Sequence, residues 1–355
     1  MRVRTALSAA ALGALVATAS AAAEAPLPPL CIDDAAVSVS GISSGGFMAH
    51  QFHVAHSARV MGAGIIAGGP YACAGDGYPR NMARALSVCS AIAPGPFRGP
   101  PPAERSIDAL RAAWRADRID DPEGLRGDRV YLFSGRQDTM VPTSVVETVG
   151  AVYRAFADAA NMVLVEDVEA PHAMLTQNFG NRCETMAPPF INACGYDLAG
   201  ATLRQIYGPL AAPKRPEGEL RPFAQADFVD AQALHGLAER GFVYIPKACA
   251  EGARCRLHVA FHGCGQTEAM IGDAFVRHAG YNGWAESNDI VVLYPQTAVL
   301  TTRRLGTTLP WPNPQGCWDW WGYTGPHYAD RDGPQIKAVA AMIERLAGSN
   351  LNYCK

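Results

Sequence analysis

The stretch VSVSGISSGGFMAHQF, residues 37–52, places a Gly-x-Ser-x-Gly motif between two segments of different periodicity. Alternation over residues 37–40 predicts a strand, and the pattern over residues 46–60 predicts an amphipathic helix. A serine at a strand-to-helix turn is typical of a nucleophile elbow, in which a strained turn exposes the serine hydroxyl. We therefore predict that Ser43 is a nucleophile, against the alternative of a serine in an ordinary glycine-rich loop.

The neighbours of this serine fit the same interpretation. Gly41, Gly45 and Gly46 are small enough for a tight turn. The turn would place the backbone N–H of Ser44 at a helix N-terminus, where it can donate to an oxyanion. Because glycine and serine are common in loops, the motif alone is weak evidence, and the rest of the chain must supply a base and an acid.

Composition sets broad limits. The chain has 355 residues, enough for one large α/β domain or two modest ones. With 49% hydrophobic residues, 18% charged residues and a formal net charge of −3, it is typical of soluble globular proteins. No block of like charge predicts a nucleic-acid partner.

The N-terminus predicts export. MRVR is followed by the apolar run ALSAAALGALVATA and then by small residues, the pattern of a secretory signal peptide cleaved near residue 21. The alternative is a membrane anchor, but the run is shorter than the roughly 20 residues that a spanning helix needs. We expect residues 1–21 to be removed and the mature protein to be periplasmic or secreted, with no membrane association.

Ten cysteines fit an oxidising compartment. Zinc sites typically use paired Cys-x-x-Cys spacings, which the sequence lacks, so we expect no metal. Proximity in sequence predicts the disulfides Cys73–Cys89, Cys183–Cys194 and Cys249–Cys255, and leaves four cysteines to be paired by the fold.

The order of elements predicts a mostly parallel sheet. In the first half, strands such as RVYLFSG and NMVLVEDV alternate with helices predicted at residues 104–117 and 144–159. Residues 208–228 are rich in proline and charge, and we interpret them as a surface connection rather than a domain linker. The second half again contains strands, a helix at residues 268–278 and a final helix, so we expect residues 22–355 to form one catalytic domain.

The same order supplies partners for Ser43. In α/β-hydrolases the acid follows the second strand after the elbow strand and the histidine follows the third, which here points to Asp138 and His172. Asp167 and Glu169 are alternative acids, and the other histidines have no catalytic position that we can assign. We predict the triad Ser43, Asp138 and His172.

The segment RLHVAFHGCGQ predicts the second oxyanion donor. A His-Gly pair after a strand commonly announces this loop, so His262 and Gly263 would present the N–H of Cys264. In the usual α/β-hydrolase order this strand precedes the elbow, whereas here it follows by some 220 residues. We interpret the chain as a circularly permuted α/β-hydrolase fold, whose termini meet just before the elbow strand. Cys31 and Cys354 should then form a disulfide, which leaves the pair Cys264–Cys317.

At this level of detail the sequence resembles the polyhydroxybutyrate (PHB) depolymerases of the circularly permuted type, whose serine box lies near the N-terminus. The resemblance covers nearly the whole mature chain and is carried by these blocks: GISSGGFMA, HAMLTQNFGNRC, PFINACGYDLAGATLRQIYG, AFHGCGQT, VVLYPQT and GCWDWWGYTG. It implies a Ser-His-Asp esterase acting through an acyl-enzyme without a cofactor, with the amides of Ser44 and Cys264 as oxyanion hole.

The resemblance also suggests substrate contacts. The segment PWPNPQGCWDWW holds four of the six tryptophans, Trp311, Trp318, Trp320 and Trp321. Aromatic faces beside a serine site suit an apolar polyester, although such a cluster can also be core. We expect Trp320 or Trp321 to line the substrate cleft, and we place Trp318 and His262 in the same substrate-binding set.

The expected activity is hydrolysis of poly(3-hydroxybutyrate) or its oligomers by a monomer. Similar blocks occur in feruloyl and acetylxylan esterases, so an esterase of acylated plant polysaccharide is the alternative. A non-catalytic exported binding protein of the same fold is a further one.

Overall fold

The computed structural model describes residues 25–75, 77–95, 99–300, 313–348 and 354. Its main element is an eight-stranded sheet. The predicted signal peptide and Trp311 lie outside the described residues. The sheet strands are β1 (Ile32–Ile42), β2 (Val60–Ile66), β3 (Arg129–Phe133), β4 (Met162–Val165), β8 (Glu219–Ala224), β9 (Arg240–Ile245), β10 (Cys255–Phe261) and β11 (Ile290–Tyr294). Three short strands form a second sheet: β5 (Met174–Thr176), β6 (Asn181–Arg182) and β7 (Ile191–Ala193).

The strand order explains the position of the serine motif. The order is β4-β3-β2-β1-β10-β11-β9-β8, and all neighbours from β4 to β11 are parallel, whereas β9 is antiparallel to both of its neighbours. If β8–β11 are placed ahead of β1–β4 in the chain, this is the strand succession of an α/β-hydrolase, with its antiparallel second strand. The predicted permuted and mostly parallel fold is therefore the one observed.

The two ends of the permuted chain meet beside β1. Cys31 and Cys354 form a disulfide that spans 323 residues, and the Leu30 N–H donates to the Leu346 carbonyl at 2.7 Å. The remaining bridges join the other predicted pairs, namely Cys73–Cys89, Cys183–Cys194, Cys249–Cys255 and Cys264–Cys317.

Helices cover both faces of the sheet. They are α1 (Ser44–Ala55), α2 (Met82–Ser87), α3 (Ala103–Arg115), α4 (Thr143–Tyr153), α5 (Leu198–Tyr207), α6 (Lys247–Ala250), α7 (Glu268–Ile271), α8 (Ala274–His278), α9 (Tyr281–Ser287) and α10 (Pro334–Ala347). Buried side chains of α1, α3, α4 and α10 pack on one face, and those of α5, α8 and α9 pack on the other. Among these helices, none is long and apolar enough to cross a membrane.

Residues 208–228 differ from the prediction. They are not simply a surface connection, because Glu219–Ala224 forms β8, the edge strand paired antiparallel with β9. Pro222 and the charged neighbours Glu219 and Arg221 hide the strand pattern in the sequence. An edge strand tolerates both, because one side of its backbone needs no partner and only Phe223 is fully buried.

Other predicted helices have different limits. The helix predicted at residues 268–278 is split into α7 and α8 by Gly272, whose φ of 62° lies in the left-handed region. The helices predicted to end at residues 60 and 159 end earlier, at Ala55 and Tyr153. After these last two helices the chain must turn to reach β2 and β4, which periodicity alone does not reveal.

Candidate active site

Ser43 occupies a strained turn between β1 and α1. Its φ and ψ are 57° and −123°, a conformation that non-glycine residues rarely adopt. The turn is held by the Ser43 N–H, which donates to the Ile66 carbonyl at 2.9 Å. The glycines are sterically required here, because a β-carbon on Gly45 would lie 2.3 Å from the Phe261 carbonyl oxygen. This is the geometry of a nucleophile elbow.

Asp138 and His172 form a partly buried pair, in which the Asp138 side chain is 1% exposed and the His172 side chain 12%. They follow β3 and β4, and the Nδ1–H of His172 donates to Asp138 Oδ2 at 2.7 Å. The other carboxylate oxygen accepts the N–H groups of Met140 and Val141 at 2.8 and 2.9 Å, which fixes its orientation. With its proton on Nδ1, His172 retains a lone pair on Nε2 for accepting a proton from a hydroxyl.

The two alternative acids do not have this arrangement. Asp167 and Glu169 are exposed. The Glu169 carboxylate instead pairs with Arg136 at 3.1 Å and accepts from the Gln137 amide at 3.1 Å. Of the three carboxylates considered, Asp138 alone contacts His172 within the described structure.

An apolar cavity of about 570 Å³ contains both Ser43 and His172 in its wall. The hydrophobic part of that wall, among the described residues, is formed by Ile42, Phe47, Met82, Leu86, Ile92, Met140, Val141, Met186, Phe190, Trp320 and Trp321. Most of these residues come from loops far apart in sequence, without a local motif, and the sequence did not single them out. Cavities of this size and polarity typically bind small or chain-like organic ligands.

Ser44 and Cys264, whose N–H groups are the predicted oxyanion donors, line the same cavity as Ser43. Ser44 is the first residue of α1, so its N–H has no acceptor within the helix. Gly263 lies in the loop after β10 and packs against the elbow, because a β-carbon on it would lie 3.2 Å from Ser43 Cβ. The next residue, Cys264, also lines the cavity. The loop is held by Gln266, which accepts the Gly263 N–H at 2.7 Å, and by the disulfide to Cys317.

The three described tryptophans of residues 313–321 divide into two groups. Trp320 and Trp321 line the cavity with their rings nearly perpendicular and 5.3 Å apart, and Trp320 stacks on Phe47 at 4.5 Å. Trp318, which was expected in the substrate-binding set, is fully buried and packs edge-on against Phe261 at 4.9 Å. Trp318 thus lies in the core and not in the described cavity wall, and a cluster of tryptophans in a sequence does not reveal which rings will face a cavity.

His262 also lies outside the described cavity wall. Its ring is buried, with Nε2 accepting the Thr297 N–H at 3.3 Å, so Nδ1 carries the proton and donates to the Gly263 carbonyl at 2.8 Å. Burial lowers the pKa of His262 to about 4. In the described structure the residue therefore supports the loop that carries Cys264 and does not line the cavity.

A second serine–histidine cluster lies within the sheet. His258 on β10 has Ser38 2.7 Å from Nδ1 and Ser40 2.7 Å from Nε2. The Ser38 hydroxyl donates to the Tyr207 oxygen at 2.6 Å, so Ser38 must accept the proton on His258 Nδ1. Nε2 is then unprotonated and accepts from the Ser40 hydroxyl, which in turn accepts from the Tyr281 hydroxyl at 2.8 Å. Burial lowers the pKa of His258 to about 3, so the imidazole is neutral. Every hydroxyl proton has an acceptor, and none of these side chains lines the cavity.

Two curated proteins resemble the chain over nearly its whole length. A poly(3-hydroxybutyrate) depolymerase of Delftia acidovorans is 40% identical over 352 residues, which cover 97% of this chain and 66% of that protein, slightly under two thirds of its length. A polyhydroxybutyrate depolymerase of Talaromyces funiculosus is 34% identical over 344 residues, which cover 95% of each chain. No family model matches the chain.

Solved structures give the same result. A PHB depolymerase with a serine-to-alanine substitution, complexed with an R3HB trimer, has a TM-score of 0.80 at 32% identity. The PHB depolymerase from Penicillium funiculosum has a TM-score of 0.79 at 33% identity. Both comparisons cover 91% of this chain and 99% of the other. From its fold and its similarity to these proteins, the chain belongs to the polyhydroxybutyrate depolymerase family of carboxylic ester hydrolases.

Proposed function

We propose that this chain is an exported serine esterase that hydrolyses ester bonds of poly(3-hydroxybutyrate) or of 3-hydroxybutyrate oligomers. The observation that carries the proposal is the position of Ser43. It lies on a strained turn that opens into the same apolar cavity as His172, whose other ring nitrogen is bonded to Asp138. This combination supplies a nucleophile, a base and an orienting acid at one place.

In the first half of the reaction Ser43 Oγ attacks the ester carbonyl carbon and passes its proton to His172 Nε2. The oxyanion that forms is stabilised by the N–H groups of Ser44 and Cys264, each of which adjoins the cavity. The intermediate then expels the alcohol end of the polyester, which takes the proton from His172. A 3-hydroxyacyl ester of Ser43 remains.

In the second half a water molecule gives a proton to His172 Nε2 and attacks the acyl carbon. Collapse of this second intermediate breaks the bond to Ser43 Oγ, which recovers its proton from the imidazolium. A 3-hydroxybutyrate unit or short oligomer with a free carboxyl group leaves. Asp138 keeps the imidazole in the tautomer that both halves require and stabilises its positive charge.

The cavity wall favours a polyester over a sugar ester. A polyester chain presents methyl and methylene groups with carbonyl acceptors but few hydrogen-bond donors, and the wall is mostly apolar. The faces of Trp320 and Trp321 add apolar aromatic surface to this wall, which suits the methyl and methylene groups of a polyester. A feruloyl or acetylxylan esterase would need more polar groups to bind carbohydrate hydroxyls.

The names of the relatives support the same substrate class. Those proteins are called depolymerases of poly(3-hydroxybutyrate), and one related structure is a complex with an R3HB trimer. The His172–Asp138 hydrogen bond, in a cavity that Ser43 also lines, favours an enzyme over a non-catalytic binding protein. Five disulfides fit an oxidising compartment and so support export by the signal peptide predicted at residues 1–21.

Product identification tests the proposal. Purified mature protein is incubated with amorphous poly(3-hydroxybutyrate), the soluble (R)-3-hydroxybutyrate trimer and feruloylated xylan, with Ser43→Ala as control. We expect 3-hydroxybutyrate products from the first two substrates, and a drop of roughly 10⁴-fold or more with Ser43→Ala at unchanged circular dichroism. Release of ferulate or acetate alone, or full activity of the variant, would refute it.

A further inference from the structure

Asp319 is a buried carboxylate that the proposed mechanism does not use. Asp319 is 2% exposed, and its carboxylate forms no ion pair with a lysine, arginine or histidine of the described chain. Its charge is met instead by five short-range donors: the N–H groups of Trp321, Gly322, Tyr323 and Thr324, and the Thr324 hydroxyl.

These donors define the shape of the loop. Oδ1 accepts three consecutive N–H groups at 2.6–3.1 Å, which converge only if the backbone curls around the carboxylate. Gly322 permits the curl, since its φ of 83° lies in the left-handed region. Burial raises the pKa of Asp319, whereas the bonds from Thr324 and the neighbouring amides oppose that shift. A buried carboxylate with these donors selects one loop conformation, because other conformations would leave it unpaired.

The backbone of Asp319 is itself anchored to the core. Its N–H donates to Gln335 on α10 at 2.8 Å, and its carbonyl accepts the Gln51 amide of α1 at 2.9 Å. The neighbouring Trp318 N–H donates to the Ser44 hydroxyl at 3.3 Å, beside the proposed nucleophile. The carboxylate is thus fixed relative to the elbow helix.

The loop that the carboxylate shapes carries the aromatic wall of the cavity. Trp320 and Trp321 follow Asp319 directly, and both rings face the cavity. The Trp321 carbonyl is held by Asn81 as well, but no other described side chain binds the N–H groups of this turn. Displacement of the carboxylate would therefore move the rings while leaving Ser43 and His172 in place.

We propose that Asp319 is a positioning residue that sets the orientation of Trp320 and Trp321 and thereby the binding of extended ester substrates. The proposal rests on the proposed function of the cavity. If Asp319 has this role, its replacement should affect long esters more than small ones. A long ester contacts the tryptophan wall in addition to the triad, whereas a small activated ester depends mainly on the triad and the oxyanion donors.

The test compares the (R)-3-hydroxybutyrate trimer with p-nitrophenyl acetate. Asp319→Asn keeps the side-chain shape but turns an amide toward backbone donors. We expect the ratio of kcat/KM for the trimer to that for p-nitrophenyl acetate to fall about tenfold, mostly through KM. Thr324→Val, which removes a single hydroxyl donor, should lower this ratio about two- to threefold. Thr324→Ser, which keeps the hydroxyl, should have the same ratio as the wild type.

Asp330→Asn is the matched control. Asp330 is also buried, but it accepts from Tyr71 at 2.6 Å and pairs with Arg118 at 3.2 Å, and none of these residues lines the cavity. This variant should lower thermal stability without changing the substrate ratio. An unchanged ratio in both Asp319→Asn and Thr324→Val, or an equal fall in Asp330→Asn, would overturn the proposal.

A second measurement separates this proposal from the proposed function. Failure of the wild-type protein to cleave the trimer refutes the function itself. The positioning role is then judged by acrylamide quenching of tryptophan fluorescence in the folded proteins. We expect Asp319→Asn to increase quenching and Asp330→Asn to leave it unchanged, and the absence of that difference would refute the positioning role.

Discussion

Two serine–histidine clusters share strand β1 of one sheet, and they have opposite properties. In one, Ser43 lies on a strained turn after β1 and shares a cavity with His172. In the other, Ser38 and Ser40 lie within β1 and bond both nitrogens of His258, which is fully buried. The second cluster has serine–histidine hydrogen bonds of 2.7 Å, but its full burial leaves no access for a substrate.

The difference teaches that residue types and short distances do not by themselves make an active site. In the sheet cluster every hydroxyl proton is already donated to an acceptor, and the neutral imidazole links β1 to β10. Such a satisfied network stabilises one packing arrangement. At the elbow, Ser43 lies on a strained turn and lines an open cavity, which are the conditions expected for a reactive serine.

The largest expected effect separates the two histidines. His172→Ala should lower kcat on the trimer by roughly 10⁴-fold or more, because the serine then lacks its base. His258→Asn should keep activity within about tenfold but destabilise the fold by roughly 2–4 kcal/mol, because it breaks a buried network. Initial rates and urea unfolding curves measure both quantities. A reversal of the two phenotypes would mean that the catalytic assignment is wrong.

A slightly smaller effect is expected at the acid. Asp138→Asn should lower kcat by roughly 10³- to 10⁴-fold, because an amide at this position favours the wrong imidazole tautomer. Glu169→Gln is the matched control, since Glu169 is exposed and pairs with Arg136. Its activity should stay within about twofold of the wild type. Comparable losses in the two variants would remove Asp138 from the triad.

The elbow itself can be tested by adding one methyl group. In Gly45→Ala the new β-carbon would lie 2.3 and 2.4 Å from the carbonyl oxygens of Phe261 and His262, which are backbone atoms with little freedom to move. We expect a loss of roughly 2–4 kcal/mol in the free energy of unfolding, together with reduced activity. Gly127→Ala, at a position with no atom within 4 Å, is the control. Equal stability of the two variants would contradict the packing described for the turn.

The smallest expected effect concerns pH and stability. His258 has a pKa of about 3 in the folded protein, whereas an unfolded histidine titrates near 6.5. Between these values the unfolded chain binds more protons, so stability is present above pH 6.5 and declines as the pH falls below it. Urea midpoints at pH 7 and pH 5 should therefore differ more in the wild type than in His258→Asn. An identical pH dependence would show that His258 does not contribute.

The fold was predictable from the sequence where local chemistry and topology agree. The glycines around Ser43, the alternation of strands and helices, and the HGC loop after a strand indicate one permuted sheet. Asp138 and His172 follow from the same topology, because the carboxyl ends of parallel strands meet at one edge. The strand at residues 219–224 escaped prediction because an edge strand needs little apolar pattern.

The cavity wall was less predictable. Its hydrophobic residues come from separate loops, and no short motif records that Met186 and Ile92 meet beside the same opening. The burial of Trp318 and His262 outside this wall was equally hard to foresee, since loop residues follow no fixed period. Asp319 was overlooked for a related reason, because its role depends on a turn that closes only in three dimensions.

Covalent labelling tests most directly which of the two clusters is the active site. The protein is treated with a fluorophosphonate, which transfers its phosphonyl group to an activated serine, and the peptide containing residues 37–52 is sequenced by tandem mass spectrometry. We expect one phosphonyl group at Ser43, lost in Ser43→Ala and strongly slowed in His172→Ala. Labelling at Ser38 or Ser40, or labelling of Ser43 that is independent of His172, would contradict the assignment of the active site.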